Sequence, residues 1–349
     1  MTVPRLPPRL GEVEPSAILA RLRSHRLWLD YGATSVRLAS DSAALAGQIQ
    51  RVYAQFPLQD DEPWADHHVR IVRARGWRRF VRPQLEFECD LQRPFAPFPA
   101  DTALPLFEWG SNWLIGQRLA HLLLLHAGVL ERDGLALVLP AVPGSGKSTL
   151  TAALSLRGWR LLSDEFGAFC PTRRRFIAML KPVALKNESI ELIRAFAPQA
   201  RLGPLFPKTR KGTVAHLGAE REAVERRHEW VRPGAVVMPR WVADAPLTLT
   251  PQPAHLIFGA LAFNAFNYQD NGERGFDAAS HLARVCRGWQ LSYSRLDDAI
   301  EHLERLWQQV REERGDADAG EGEGEGEGEG EGEGEGEGEG GGEGEGEGE

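Results

Sequence analysis

Ala141-Val142-Pro143-Gly144-Ser145-Gly146-Lys147-Ser148-Thr149 decides the reading of this chain, because an apolar run, Leu135 to Leu139, leads into it and a helix-forming run, Ser148 to Leu156, leads out. In a short glycine-rich loop between strand and helix, backbone N–H groups wrap a polyphosphate and the helix N-terminus adds partial positive charge. Pro143, Gly144, Ser145, Gly146, Lys147, Ser148 and Thr149 are the expected binding loop, with Lys147 reaching the terminal phosphates and Ser148 ligating Mg²⁺. Nucleotide binding is the implied function. The first glycine of the G-x-x-x-x-G-K-[ST] pattern is Ala141 here, and alanine is small enough to predict an adjusted loop that still binds.

Trp159-Arg160-Leu161-Leu162-Ser163-Asp164-Glu165 comes shortly after. A helix of about 11 residues carries the chain about 16 Å away from the loop, and a strand of about five brings it about 16 Å back. The acidic pair therefore returns to the phosphate end. Gly158 suits the left-handed residue that closes the helix. One carboxylate would orient Mg²⁺ and the other would accept a proton from an attacking hydroxyl. Alone, Asp-Glu at a strand end is an ordinary exposed turn; beside the loop, the chemical reading is favoured.

Upstream, Asp133-Gly134 separates two apolar runs and predicts a hairpin with a two-residue turn, which places His126 on the strand beside the one entering the loop. By itself a histidine in an apolar strand is usually a satisfied core residue.

Together, His126-Ala127-Gly128-Val129, Gly144-Ser145-Gly146-Lys147-Ser148 and Arg157-Gly158-Trp159-Arg160-Leu161-Leu162-Ser163-Asp164-Glu165 resemble the catalytic domain of bacterial HPr kinase/phosphorylase and its relatives. The resemblance implies an α/β P-loop kinase fold similar to that of phosphoenolpyruvate carboxykinase. It implies ATP and Mg²⁺ as cofactors, His126 and Lys147 as catalytic residues, Ser148 as a Mg²⁺ ligand, and the acidic pair as the source of the base. The family has Asp-Asp where this chain has Asp164-Glu165, so which is base and which is ligand stays open. The family's further Mg²⁺-binding glutamate is assigned to Glu188. Ser148-Thr149 replaces the family's Ser-Glu, and the glycine-rich segment that grips HPr has no clear counterpart. Phe107-Glu108-Trp109-Gly110-Ser111-Asn112-Trp113 resembles the HPr kinase-related "kinase A" group, often encoded beside exopolysaccharide or exosortase systems. The expected acceptor is a protein serine or a small hydroxylated metabolite, of undefined identity. The alternative is a nucleotide-sensing interaction module that binds ATP without transfer, for which Ala141 speaks. The resembled kinases form hexamers, which implies a homo-oligomer.

With 349 residues, 42% of them apolar, the chain is able to bury a catalytic core and a smaller domain. Cys89, Cys170 and Cys286 lack metal spacing and read as reduced thiols. No signal-peptide core and no run approaching 18 apolar residues is present, which predicts a cytoplasmic protein without a membrane span. The formal charge is −8, but 14 glutamates fall in the Gly-Glu repeat 320–349, and without them the body carries +6. A tract with no apolar side chains and mutual repulsion is expected to be disordered, a solvated tail without a dedicated binding role.

The expected organisation is a small α+β domain over 1–105, the P-loop catalytic domain over 106–314, and the tail over 315–349. In the first, Asp41 to Phe56 predicts a helix with Leu45, Ile49, Val52 and Phe56 on one face, and Val69 to Val72 and Leu85 to Leu91 predict strands. Arg73, Arg75, Arg78, Arg79 and Arg82, interleaved with Trp77 and Phe80, read as a solvated hairpin face with no nucleic-acid partner. Pro94, Pro97, Pro99 and Pro105 read as a linker, and Phe107 to His121 as a helix. Beyond Glu165, strands are expected at Phe166 to Cys170 and Phe176 to Leu180, with Lys181 to Lys186 continuing the same sheet and Asn187 capping a helix from Glu188 to Phe196. Pro207 to Thr213 is a basic loop read either as closing on phosphates or as a mobile surface loop. Asp277 to Arg287, Gly288, Trp289 to Tyr293 and Asp297 to Val310 read as helix, cap, strand and helix.

Overall fold

Hydrophobic periodicity and turn chemistry set out an alternating α/β order in the computed structural model, which describes residues 7–59, 64–76 and 81–322. The first part holds α1 (Pro15–Arg23), β1 (Leu27–Asp30), β2 (Ser35–Ser40), α2 (Ala43–Val52), β3 (His67–Arg73), β4 (Gln84–Cys89), β5 (Phe98–Pro99) and α3 (Ala103–Arg118). Next come β6 (Leu123–Leu125), β7 (Ala127–Arg132), β8 (Leu135–Pro140), α4 (Lys147–Leu156), β9 (Arg160–Ser163), β10 (Gly167–Cys170), β11 (Arg175–Ile177), β12 (Val183–Lys186) and α5 (Glu188–Phe196). The remainder is β13 (Phe206–Thr209), β14 (Gly212–Leu217), α6 (Arg221–Glu225), β15 (Arg232–Trp241), β16 (Thr248–Gln252), α7 (Ala254–Phe263), α8 (Tyr268–Val285), β17 (Arg287–Tyr293) and α9 (Leu296–Gly322). The chain divides into two units, residues 1–306 and 307–349. Helix α9 runs to Gly322, so positions 315–322, read from composition as the start of the tail, are helical. Residues 323–349 lie outside the described residues, as do Trp77, Arg78, Arg79 and Phe80 of the basic cluster.

In the first unit, a five-stranded sheet runs β1-β2-β3-β4-β5. Leu45, Ile49 and Val52 of α2 are buried, as the helical spacing predicts, and the Ser42 side chain accepts the Leu45 N–H at 3.2 Å to cap it. The proline-rich stretch is a working part of this sheet: Phe98 and Pro99 pair with Leu85 and Gln84. Proline is tolerated there because β5 is an edge strand. Buried polar contacts fix these N-terminal elements to later segments of the same unit. Tyr53 donates to Glu108 Oε1 at 2.5 Å, Lys181 Nζ donates to the Glu108 carbonyl at 3.0 Å, and the Arg227 guanidinium meets Asp30 at 2.8 Å.

The sheet that positions the site runs β16-β17-β15-β8-β7-β9. The hairpin β7–β8 forms as expected, with Asp133 and Gly134 both left-handed at φ 55° and 78°. Strand β15 is parallel to both β8 and β17, while β7 is antiparallel to β8 and to β9. The carboxyl ends of β17, β15, β8 and β9 therefore share one edge. At the opposite end the buried Arg160 and Glu131 side chains pair, and Glu131 also accepts the Gly134 N–H at 2.7 Å. Gly128 lets α4 lie against β7, since a Cβ there would stand 2.2 Å from Thr151 Oγ1.

Three expectations change. Strand β12 pairs with β14 in a separate three-stranded sheet, away from β10 and β11, because the chain turns at Lys181 to satisfy Glu108 and Asn112. Asn187 makes no side-chain cap for α5; its amide oxygen accepts the Thr213 N–H at 3.1 Å instead. Gly288 is inside β17, where a Cβ would meet Ile257 at 2.4 Å, so it permits close approach of α7 and caps nothing.

The Gly128 contact yields a stability test. Gly128→Ala is expected to cost about 1–3 kcal/mol, the usual penalty for forcing a methyl into a filled core. Gly128→Ala with Thr151→Ala should regain most of it, because the clashing hydroxyl has no hydrogen-bond partner to lose. Urea unfolding of wild type and the two variants measures both.

Candidate functional site

The glycine-rich loop leaves β8 at Pro140 and turns through Gly144 and Gly146, at φ 87° and 86°, before Lys147 opens α4. Both turns use backbone conformations that side-chain-bearing residues rarely adopt. Gly146 has a second reason to be glycine: a Cβ would stand 2.7 Å from the Tyr293 hydroxyl and 3.0 Å from Trp241 Cβ. Trp241 donates its backbone N–H to the Ser145 carbonyl at 2.9 Å, and the Tyr293 hydroxyl donates to the Gly146 carbonyl at 3.4 Å. The loop is thus braced by the ends of β15 and β17, about a hundred residues or more downstream. Ala141, in place of the first glycine, is buried and leaves the strand-to-loop passage intact.

The acidic pair returns to the loop as the spacing predicts. Lys147 Nζ donates to the Asp164 carbonyl at 2.6 Å, and Lys147 and Asp164 are only 7% and 5% exposed. An ammonium has three donors, and one is accounted for here. Asp164 Oδ1 and Ser145 Oγ are buried with no hydrogen-bond partner. Orphaned buried oxygens are rare and costly, and a bound ligand is one way of satisfying them. Burial pushes the Asp164 carboxyl above the ordinary carboxylate range; the Lys147 ammonium and the neighbouring Ser148 hydroxyl pull against this, and Glu165 adds to it. Glu165 is half-buried beside it.

His126 lies in the break between β6 and β7, one residue short of the strand expected to carry it, where the chain leaves one sheet for another. Its backbone N–H donates to the Asn264 carbonyl and its ring faces Phe266 at 5.3 Å between centroids. Burial first, then the positive charge of Lys147, lowers its pKa to about 4, against the opposite pull of Glu165; Lys186 and Lys211 lower it further. His126 and Asp164 each lie within electrostatic reach of both Lys147 and Glu165. Glu188 is exposed as the first residue of α5, two positions after Lys186. Pro143 and Gly144 are exposed at the loop tip, and Ser148 and Thr149 are half-buried in the first turn of α4.

Among the described residues no group of three or more His, Cys, Asp and Glu side chains forms a metal cage. The donor set present, one buried carboxylate oxygen without a partner and one serine hydroxyl, suits Mg²⁺, which takes one or two protein oxygens together with phosphate. Trp241, Tyr293, Asn264, Phe266 and Lys186 were not singled out by the motif reading. Trp241 and Tyr293 end strands of the six-stranded sheet, Lys186 ends β12, and Asn264 and Phe266 follow α7, so long-range packing brings them here.

A histidine held neutral leaves a mark on stability. The unfolded chain takes up a proton near pH 6.5, whereas folded His126 resists until about pH 4, so the unfolded state binds more protons between those values. Stability should fall as pH drops from about 6.5 to about 4, and His126→Gln should flatten that part of the curve. Imidazole resonances followed by NMR are expected to show His126 still neutral at pH 5.5.

No family model matches the chain, and no curated protein sequence matches it. Among solved structures, the Hpr(Ser) kinase/phosphatase from Coxiella burnetii is similar at 11% identity and a TM-score of 0.22, over 53% of this chain and 98% of that one. At that score the likeness carries no weight, and the functional assignment rests on the residues and their geometry. No helix among the described residues is long and apolar enough to cross a membrane, and the described sheets and helices form a mixed α/β protein.

Proposed function

We propose that this protein is an ATP-dependent phosphotransferase that moves the γ-phosphoryl group to a hydroxyl of a partner protein or of a small metabolite. The observation that carries the reading is the convergence of a buried ammonium on Lys147, the Ser148 hydroxyl and the partnerless Asp164 Oδ1 at the mouth of a loop turned by two left-handed glycines. The motif resemblance to the HPr kinase group, and to its kinase A members, supports the same class. In this reading residues 106–314 are the catalytic part and residues 1–105 a smaller α+β part.

Backbone N–H groups of residues 143–148 wrap the triphosphate, and Lys147 exchanges its bond to the Asp164 carbonyl for phosphate oxygens, where it neutralises charge on the moving group. Ser148 and Asp164, with Glu188 as a third candidate, would hold Mg²⁺, which when bound offsets the charge of the triphosphate. Whichever of Asp164 and Glu165 faces the acceptor takes its hydroxyl proton. His126 is neutral at pH 7, so it serves as a hydrogen-bonding group that adds no charge.

Asp164→Asn and Glu165→Gln separate transfer from binding. At least one is expected to lower single-turnover transfer from γ-labelled ATP by about 10²-fold or more while ATP still binds, the usual loss when a proton acceptor is removed. Lys147→Ala should abolish use of the γ-phosphoryl. If wild type binds ATP by calorimetry but transfers nothing to proteins or small-molecule extracts of the native cell, the chain is a nucleotide sensor and the transferase reading is wrong.

A further inference from the structure

Connections leave the two central strands of the six-stranded sheet in opposite directions. From β8 the chain passes through α4 to β9, beyond β7; from the neighbouring β15 it passes through β16, α7 and α8 to β17 on the other side. The carboxyl ends of β8 and β15 thus flank a topological switch point, the place where open α/β sheets bind ligands. The glycine-rich loop continues from β8 there, and Trp241, the last residue of β15, stands directly against it.

At that edge of the sheet a bound triphosphate would have a direction. Asp164, Glu165 and His126, the groups that act on the reacting end, all lie on the β7–β9 side of the loop. The non-reacting end must then leave on the β15 side, towards Trp241. The indole is held by its ring N–H, which bonds the Ser294 carbonyl at 3.0 Å, and the residue's backbone N–H bonds the Ser145 carbonyl of the loop at 2.9 Å. It is nevertheless 47% exposed, whereas Tyr293, the other residue bracing the loop, is buried. A rigid, half-open aromatic ring loses little entropy when a planar group is laid on it, and every nucleobase offers a π-face.

We infer that the indole of Trp241 is the platform on which the base of the nucleotide stacks, so that the donor is a nucleoside triphosphate and not an inorganic polyphosphate. This rests on the nucleotide-binding reading and adds to it the site that recognises the base. Stacking of this kind is tolerant among bases, so ATP and GTP should bind within about tenfold of each other.

The test compares ATP with inorganic tripolyphosphate, which occupies the loop and lacks a base, by calorimetry on wild type, Trp241→Phe, Trp241→Leu and Trp241→Ala. Trp241→Ala and Trp241→Leu are expected to weaken ATP about tenfold, and Trp241→Phe to stay within about threefold of wild type. Tripolyphosphate affinity should be the same in all four, because Trp241 bonds the loop through its backbone N–H, which every variant keeps. The leucine variant keeps an apolar side chain against Gly146, so it guards against a loss that comes from misfolding. Equal weakening of ATP and tripolyphosphate would show that Trp241 only braces the loop, and unchanged ATP affinity would show that the base lies elsewhere; either overturns the platform while leaving the nucleotide reading in place. Wild type binding neither ligand would overturn both.

Discussion

The hydrogen bond from Lys147 Nζ to the Asp164 carbonyl is the contact around which the site is organised. It ties the first residue of α4 to the first residue after β9, and it exists only because helix and strand have matched lengths, so that the chain leaves the loop and returns to it. A buried ammonium is costly unless its donors are used. In this fold Lys147 is buried beside a carbonyl, a carboxyl that burial holds partly against ionisation, and a loop of backbone N–H groups. The Lys147 ammonium stands at the loop, and the Asp164 carboxyl has an oxygen to spare, the one that in the proposed reaction would meet a metal or an acceptor.

Holding that arrangement requires material well beyond the motif. The Glu131–Arg160 pair locks β7 to β9 at the far end of the sheet, and Gly128 lets α4 lie close on β7. Strands β15 and β17 then brace the loop through Trp241 and Tyr293. Further out, Glu108 of α3 accepts from Tyr53 of the N-terminal part and pairs with Lys181 at 3.2 Å, just ahead of β12, whose last residue, Lys186, adds charge near His126. The residue that closes α2 is therefore linked through buried polar groups to the segment that leads into β12.

What the sequence made legible was local. The two-residue turn at Asp133-Gly134, the loop between β8 and α4, and the return of Asp164 follow from spacing over a few tens of residues, where helix rise and strand rise leave little freedom. The amphipathic face of α2 was legible for the same reason. What was not legible depends on long-range pairing. Nothing in Lys181 to Lys186 announces that β12 joins β14, and nothing in Trp241 or Tyr293 announces that they meet Gly146. Gly288 and Asn187 misled because each suits a cap, while tertiary neighbours, Ile257 and Thr213, had claimed them for other purposes.

Whether the loop after β8 holds a triphosphate with its reacting end towards Asp164 and Glu165 is decided by a crystal structure with Mg²⁺ and the non-hydrolysable β,γ-imido analogue of ATP. The expected complex has the triphosphate wrapped by residues 143–148, with Lys147 Nζ turned from the Asp164 carbonyl onto a terminal phosphate oxygen and the γ-group on the His126 side of the loop. A nucleotide bound elsewhere, or bound at the loop with its γ-group pointing away from Asp164 and Glu165, would contradict it.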